Sequence, residues 1–103
     1  MIIYNVTVNI DNSVQKDWLN WMTETHIPDV MKTGYFLEYT FSQIMAESEG
    51  GTSYSIQYLC NSQEDYEEYQ SKHAPKLQQE HIERYNGKFG AFRTLLNVVK
   101  KGK

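Results

Sequence analysis

The pattern in this sequence with the clearest capacity for chemistry is His26-Ile27-Pro28, at the carboxyl end of an apolar and aromatic stretch. On a helical wheel His26 lies at the edge of the apolar arc, near Leu19 and Met22. The helix terminus favours the imidazolium ion and burial favours the neutral ring, and these opposing influences can place the pKa of the ring near neutrality. Such a histidine could act as a general acid or base, with Asp29 orienting it. The competing interpretation, and the more common one in proteins, is a structural histidine that closes the helix end.

Four further side chains could bind a small molecule. Trp18 and Trp21 share the apolar arc and could wall an apolar or aromatic pocket, although core packing is the commoner use of tryptophan. Arg93, on the last strand, could bind the carboxylate of a ligand. A cross-strand pair with Glu38 explains an arginine at this position equally well. Asn5 on the first strand is a second candidate polar anchor.

Signatures of metal and cofactor sites are missing from the sequence. His73 and His81 are not framed by carboxylates, and neither His-Glu-x-x-His nor Cys-x-x-Cys occurs. Cys60, the single cysteine, ends an apolar strand without a nearby base, so we expect a small buried hydrophobe and not a nucleophile. The sequence therefore predicts no metal and no cofactor.

The elements that must position these residues begin with the strands. Four segments are rich in aromatic and β-branched residues and are predicted as strands: 2–10, 35–46, 52–60 and 91–100. The polar, glycine-containing segment 47–51 predicts a hairpin loop between the second and third strands.

Two helices are predicted between these strands. The first follows the capping types at 11–13 and should end near His26-Ile27, because a proline disfavours helical geometry in the residue before it. The second has Ser62 as its N-cap, should kink at Pro75 and ends at Asn86-Gly87. Each helix carries a His-x-Pro segment.

The two halves of the chain also share a weak repeat. The positions with identical spacing are Leu19, Met22, His26 and Pro28 in the first half and Tyr66, Tyr69, His73 and Pro75 in the second. A duplicated βαβ unit predicts such a match, and chance explains the His-x-Pro part equally well.

Together the elements predict an α+β protein: a ferredoxin-like βαββαβ sandwich with a four-stranded antiparallel sheet, two helices on one face, and one domain over 1–103. The face expected under the helices comprises Val6, Val8, Leu37, Phe41, Ile56, Leu96 and Val98. The open face is expected to comprise Asn5, Thr7, Glu38, Thr40, Ser55, Gln57 and Arg93. Either water covers this polar face, or two copies enclose a wet lumen that would suit a polar ligand.

The composition restricts the classes of partner and compartment. A formal charge of -3 gives no attraction to a polyanionic backbone, so nucleic acid is not expected. No window approaches the roughly 18 apolar residues that a membrane span requires, and the N-terminus lacks a basic leader, so neither insertion nor export is expected. A single cysteine cannot form an internal disulfide, which is usual in the cytoplasm.

Three stretches, YNVTVNI, WLNWMTETHIPDV and AFRTL, make nearly the whole chain resemble a family of small bacterial proteins of unknown function. That family resembles the dimeric α/β-barrel superfamily, which includes antibiotic-biosynthesis monooxygenases. Trp21 followed by His26-Ile27-Pro28 fits the aromatic and His-x-Pro segment after the first helix of those proteins. The resemblance implies a homodimer with its sheets face to face and a cavity beside His26, but it implies no particular reaction.

The first functional hypothesis is therefore a cytoplasmic, homodimeric α/β barrel that binds a small polar or aromatic ligand. In this hypothesis His26 performs cofactor-independent acid/base chemistry. The alternative is a non-catalytic homodimeric or protein-interaction module that uses the polar face and the edges of the sheet.

Overall fold

In the computed structural model, which describes residues 1–46 and 48–103, four strands form one antiparallel sheet. The strands are β1 (Ile2–Asp11), β2 (Phe36–Gln43), β3 (Gly51–Cys60) and β4 (Phe89–Asn97), in the spatial order β2-β3-β1-β4. The helices are α1 (Gln15–Trp21), α2 (Ile27–Lys32), α3 (Gln63–Lys72) and α4 (Ala74–Arg84), with a 3-10 turn at Asn12–Val14 and a π-helical turn at Met22–His26. The ferredoxin-like βαββαβ fold is confirmed. Glu47, part of the predicted hairpin loop, lies outside the described residues.

The core lies between the sheet and the helices. The predicted alternation is confirmed for the two central strands, because Tyr4 and Val8 of β1 and Ile56 and Tyr58 of β3 are buried on the helix-covered side. Trp18 of α1 lies among them and is fully buried. Each such side chain contributes about 1.5–3 kcal/mol of transfer free energy, so these positions account for much of the attachment of the helices to the sheet.

The first helical region corrects one prediction. The helix does not end near His26-Ile27, because a π-helical turn carries it onward into α2. The Ile27 N–H bonds to the Met22 carbonyl five residues earlier, which widens the helix just before Pro28. Proline has no N–H and its ring crowds the carbonyl four residues back, and a wider turn accommodates both. In the second region the predicted interruption is confirmed, with α3 ending at Lys72 and α4 beginning at Ala74.

The predicted faces of β4 are wrong. In the register with β1, Arg93 is opposite Val6, so it lies on the helix-covered face, whereas Leu96 is opposite Ile3 on the open face and is 40% exposed. Val98 follows the end of the strand and lies on the same open side as Ile3. Apolar residues occur on both sides of this strand, so their alternation does not define a unique register.

The prediction that Leu37 lies under the helices is also wrong. An irregularity in the pairing of β2 with β3 between Phe36 and Glu38 shifts the alternation by one residue. Phe36 is therefore buried against the helices, and Leu37 is 51% exposed. Phe41, beyond the bulge, packs against the core as predicted.

Candidate functional site

A cavity of about 190 Å³ lies between the helices and the sheet. The π-helical turn contributes His26, α4 contributes His81, and the sheet contributes Tyr4 and Arg93. The rest of its wall is mostly aliphatic and aromatic. The described residues that line this cavity include two histidines and an arginine but no carboxylate, so the charge of this lining is positive.

His26 faces this cavity in its neutral form. Burial is the main cause that lowers the pKa of the imidazole to about 4; the carboxylate of Asp29 acts in the opposite direction, and the positive charge of Arg93 acts in the same direction as burial. Within the described part of the chain, no side chain forms a hydrogen bond with the ring. A neutral imidazole with a free lone pair can accept a proton from a bound molecule.

Trp21 holds the His26 ring in place. The two rings stack at a centroid distance of 4.9 Å and an interplanar angle of 29°. The outer part of Trp21 is covered by Arg84, whose guanidinium carbon lies 5.6 Å from the indole centroid. Arg84 is in turn 3.3 Å from Asp17 on α1, so charges at the surface fix the stack from outside.

His81 is the second histidine of the cavity, and its ring centroid lies 5.8 Å from that of His26. The indole N–H of Trp18 donates a hydrogen bond of 2.9 Å to Nε2 of His81, and both side chains are buried. Burial is the main cause that lowers the pKa of His81 to about 4, and repulsion from Arg93 and from a protonated His26 acts in the same direction. Trp18 is thus a partner of His81 in the core, which is the commoner of its two predicted uses, and it does not line the cavity.

Arg93 reaches across the sheet towards Tyr4. Its Nε donates a hydrogen bond of 3.0 Å to the Tyr4 hydroxyl. The predicted alternative, a pair with Glu38, is wrong because β2 and β4 form opposite edges of the sheet. Glu38 instead lies 3.8 Å from Lys101. Arg93 therefore remains available to an anion in the cavity, where it sits on the same side of the sheet as His26.

Two further tyrosines on the cavity wall stay protonated at neutral pH. Burial raises the pKa of Tyr58, and it raises that of Tyr69 as well, with the neighbouring Tyr4 hydroxyl acting in the same direction on both. Phenolic hydroxyls in this state can donate as well as accept hydrogen bonds. They give the cavity a weakly polar wall beside the charged Arg93.

Asn5 does not belong to this site. Its side chain lies on the open face of the sheet, where it accepts a hydrogen bond of 2.6 Å from Ser55 and donates one of 3.1 Å to Thr7. The cavity is on the other face, so Asn5 is not an anchor for a ligand in the cavity beside His26, and it lies on the open face as predicted. Asn5 is a structural member of the polar network that the sequence predicted for the open face.

The sequence missed His81 and Tyr4 as members of the site. One signal was present, because His81 stands in an i, i+4 stripe between Leu77 and Tyr85, which marks the inward face of α4. Its partner Trp18 is 63 residues away in the chain, and no local spacing reports such a pairing.

No group of three or more His, Cys, Asp or Glu side chains within residues 1–46 and 48–103 is arranged to hold a metal ion. No helix in the described part of the chain is long and apolar enough to cross a membrane.

Comparison with known proteins gives a family and a fold. A family model described as Domain of unknown function (DUF4286) matches residues 1–99. No curated protein matches the sequence. A dimeric ferredoxin-like protein from an uncultured marine organism has a TM-score of 0.70 at 12% identity, covering 100% of this chain and 99% of that one.

Two other solved structures share the fold. A Bacillus cereus protein named after antibiotic biosynthesis monooxygenases has a TM-score of 0.68 at 12% identity, covering 99% of this chain and 96% of its own. The heme-degrader MhuD from Mycobacterium tuberculosis has a TM-score of 0.67 at 14% identity, with both chains covered completely. The predicted resemblance to monooxygenase-like proteins is confirmed at the level of fold.

Proposed function

The chain belongs to the DUF4286 family, and from this premise we propose that it binds a single-ring aromatic molecule with an acidic oxygen in the His26 cavity. One observation carries the proposal: a neutral histidine and the cationic Arg93 face one largely apolar cavity whose described lining contains no carboxylate. An apolar enclosure with few polar groups is typical of small-molecule sites. The uncompensated guanidinium selects an anionic or acidic ligand.

The size of the cavity supports a single ring. Its volume is about 190 Å³, and an apolar cavity of about 150 Å³ is enough to bind benzene. One substituted ring therefore fits. A porphyrin, with four linked pyrrole rings, does not fit this space, so the heme-binding of one structural neighbour gives no guide to the ligand here.

His26 is proposed as the proton acceptor for this ligand. The ligand O–H bond breaks, a new N–H bond forms on the imidazole, and the electron pair remains on the ligand oxygen beside Arg93. General bases whose pKa lies near the operating pH accelerate proton transfer by about 10²–10⁴-fold. Because the pKa of His26 is about 4, the reaction also needs the positive charge of Arg93 to lower the pKa of the ligand oxygen beside it. The reaction class that follows is cofactor-independent acid/base chemistry on a phenol or an enolisable carbonyl compound.

We propose a homodimer as the working form. One structural neighbour is a dimeric ferredoxin-like protein, and the open face of this chain exposes Phe92 and Leu96, which are 64% and 40% exposed. Covering such side chains with a second copy favours association. The single buried cysteine, Cys60, supports the cytoplasm as the compartment, and the single sheet supports one domain over 1–103.

Calorimetric titration with 4-nitrophenol tests the ligand proposal. We expect binding to the wild type, loss of at least tenfold in affinity for Arg93→Met, and a clear loss for His26→Ala. The matched control is His73→Ala, which removes the histidine of the other His-x-Pro segment and should bind as the wild type does. Absence of binding to the wild type, or equal loss in the His73 variant, would contradict the proposal.

The exposed Phe92 and Leu96 also favour a second candidate, a non-catalytic homodimeric or protein-interaction module. Light scattering of the wild type and of Phe92→Ser tests the dimer that both candidates share, and titration with single-ring probes separates the two functions. A dimer that depends on Phe92, combined with no binding of any single-ring probe, would support the module and exclude the ligand site.

A further inference from the structure

We propose that Trp18 fixes His81 as a neutral ring with its proton on Nδ1, and that this N–H and the Arg93 guanidinium together stabilise an oxyanion in the cavity. The inference rests on the proposed function and deepens it. It names the ligand class as compounds that become oxyanions by losing one proton, such as phenols and enolisable ketones.

The assignment of the proton follows from the donor set. The indole nitrogen of Trp18 always carries a hydrogen and has no lone pair to accept with, so in the 2.9 Å contact it must be the donor. Nε2 of His81 must then be the acceptor and carries no proton. A neutral imidazole has one proton, which is therefore on Nδ1.

Packing keeps the ring in this orientation. The His81 ring meets Phe89 edge to face at 4.3 Å between centroids, and it lies 5.7 Å from Trp21 and 5.6 Å from Tyr85. A flip of the ring would exchange Nε2 for a carbon and leave the buried Trp18 N–H without a partner, which is costly. Among the described residues, none accepts a hydrogen bond from Nδ1.

The ring also stays uncharged beside two basic groups. Burial lowers the pKa of His81 to about 4, and the neighbouring His26 and Arg93 act in the same direction. An imidazolium at this position would need to donate from Nε2, where the Trp18 N–H already points. The hydrogen-bond geometry and the neighbouring charges therefore both favour a neutral His81 ring that donates from Nδ1.

The two histidines then differ in function although they share one cavity. His26 takes the proton from the ligand O–H, or from the carbon next to a carbonyl, and the electron pair goes to the ligand oxygen. His81 Nδ1–H and Arg93 bind that oxygen as its charge develops. No oxidant or further reactant enters this step. Donors set in place before the charge forms are among the strongest contributions to such reactions.

Nitrogen NMR of histidine-labelled protein tests the tautomer without any ligand. We expect the His81 signals of the Nδ1–H form in the wild type at neutral pH, and a mixture of tautomers in Trp18→Phe. Detection of the Nε2–H form or of an imidazolium in the wild type would overturn the inference. Because Trp18→Phe could destabilise the core, the wild-type spectrum alone is decisive.

Two variants of His81 test whether its Nδ1–H contributes to the binding of a phenolate. The amide of His81→Gln reaches the former Nε2 position and can accept from Trp18, but it leaves no donor at the Nδ1 position. We expect this variant to keep its thermal midpoint and its affinity for 4-nitrotoluene, and to lose about tenfold in affinity for 4-nitrophenolate. His81→Asn, with an amide at the Nδ1 position, should recover phenolate affinity if it folds.

These outcomes distinguish a failure of ligand binding in the cavity from a failure of the proposed oxyanion site. Binding of neither probe by the wild type would overturn the cavity ligand itself. Binding of 4-nitrotoluene and 4-nitrophenolate with equal affinity would leave the cavity in place and overturn the oxyanion pair. A phenolate preference that Arg93→Met abolishes but His81→Gln leaves intact would overturn the assignment of His81 alone.

Discussion

The two His-x-Pro segments of this chain share a sequence pattern and differ in structure. At His26 the helix continues through a π-helical turn, and the ring stacks on Trp21 and faces the cavity. At His73 the backbone leaves helical geometry, with φ −124°, and the ring lies 5.6 Å from that of Tyr35. His73 is not part of the cavity wall.

The comparison shows that the backbone decides what a short motif does. A π-helical turn inserts extra backbone into a helix and changes the direction in which the following side chain points. The break at His73 instead lets Pro75 start a new helix at a position where no N–H is needed. The same His-x-Pro pattern therefore provides a histidine that faces the cavity in one half of the chain and a helix boundary in the other.

Acid sensitivity is the largest expected difference between the two segments. The folded-state pKa of His26 and of His81 is about 4, below the ordinary 6.5, so the unfolded chain binds more protons between these values. Stability is complete above about pH 6.5 and is lost as the pH falls towards 4. The loss is on the order of 3 kcal/mol for each ring.

Urea unfolding between pH 7 and pH 4 measures this loss, with His26→Gln as the variant and His73→Gln as its matched control. We expect the His26 variant to lose clearly less stability than the control over this range. Equal acid sensitivity of the two variants would contradict a buried neutral ring at position 26.

Substitution of the residue between histidine and proline should change stability by a similar amount. Ile27 and Ala74 occupy this position and are both 1% exposed. Ile27→Ala should lower the free energy of unfolding by about 2–5 kcal/mol because it leaves a cavity. The reciprocal Ala74→Ile should cost about 1–3 kcal/mol through overpacking. Chemical denaturation measures the free energy of unfolding of both variants. An unchanged value for either variant would show that the site of that substitution is less tightly packed than in the structure.

Removal of the prolines gives the smallest effect. Pro75→Ala should cost about 0.4–1 kcal/mol, since it only frees the unfolded chain. Pro28→Ala should cost less or stabilise, because alanine restores an N–H donor where the helix continues. Thermal unfolding of the two variants compares them directly. A larger loss at Pro28 than at Pro75 would mean that the π-helical turn depends on the proline ring.

The fold was predictable from the sequence because it depends on local patterns. Alternation placed Val8 and Ile56 correctly, and the Ser62 cap is confirmed by its acceptance of the Asp65 N–H. Alternation failed in β4, an edge strand with apolar residues on both sides, and at the bulge beside Leu37. Each failure is a displacement of one residue, which exchanges the two faces of the strand throughout β4 but only before the bulge in β2.

The candidate site was only partly predictable. His26 and Arg93 were identified by residue type and position, but Arg93 was assigned to the wrong face. His81 and Trp18 meet only after the two helical layers pack on one sheet, so nothing local in the sequence reports their hydrogen bond. Tertiary contacts therefore determine which of the three histidines form the cavity.

A crystal structure of the protein with 4-nitrophenol tests the central claim most directly. We expect the ring inside the cavity, its phenolic oxygen within hydrogen-bond distance of Arg93 and of His81 Nδ1, and His26 on the same side of the ligand. A cavity filled by protein side chains, or a ligand bound only on the open face of the sheet, would contradict the account.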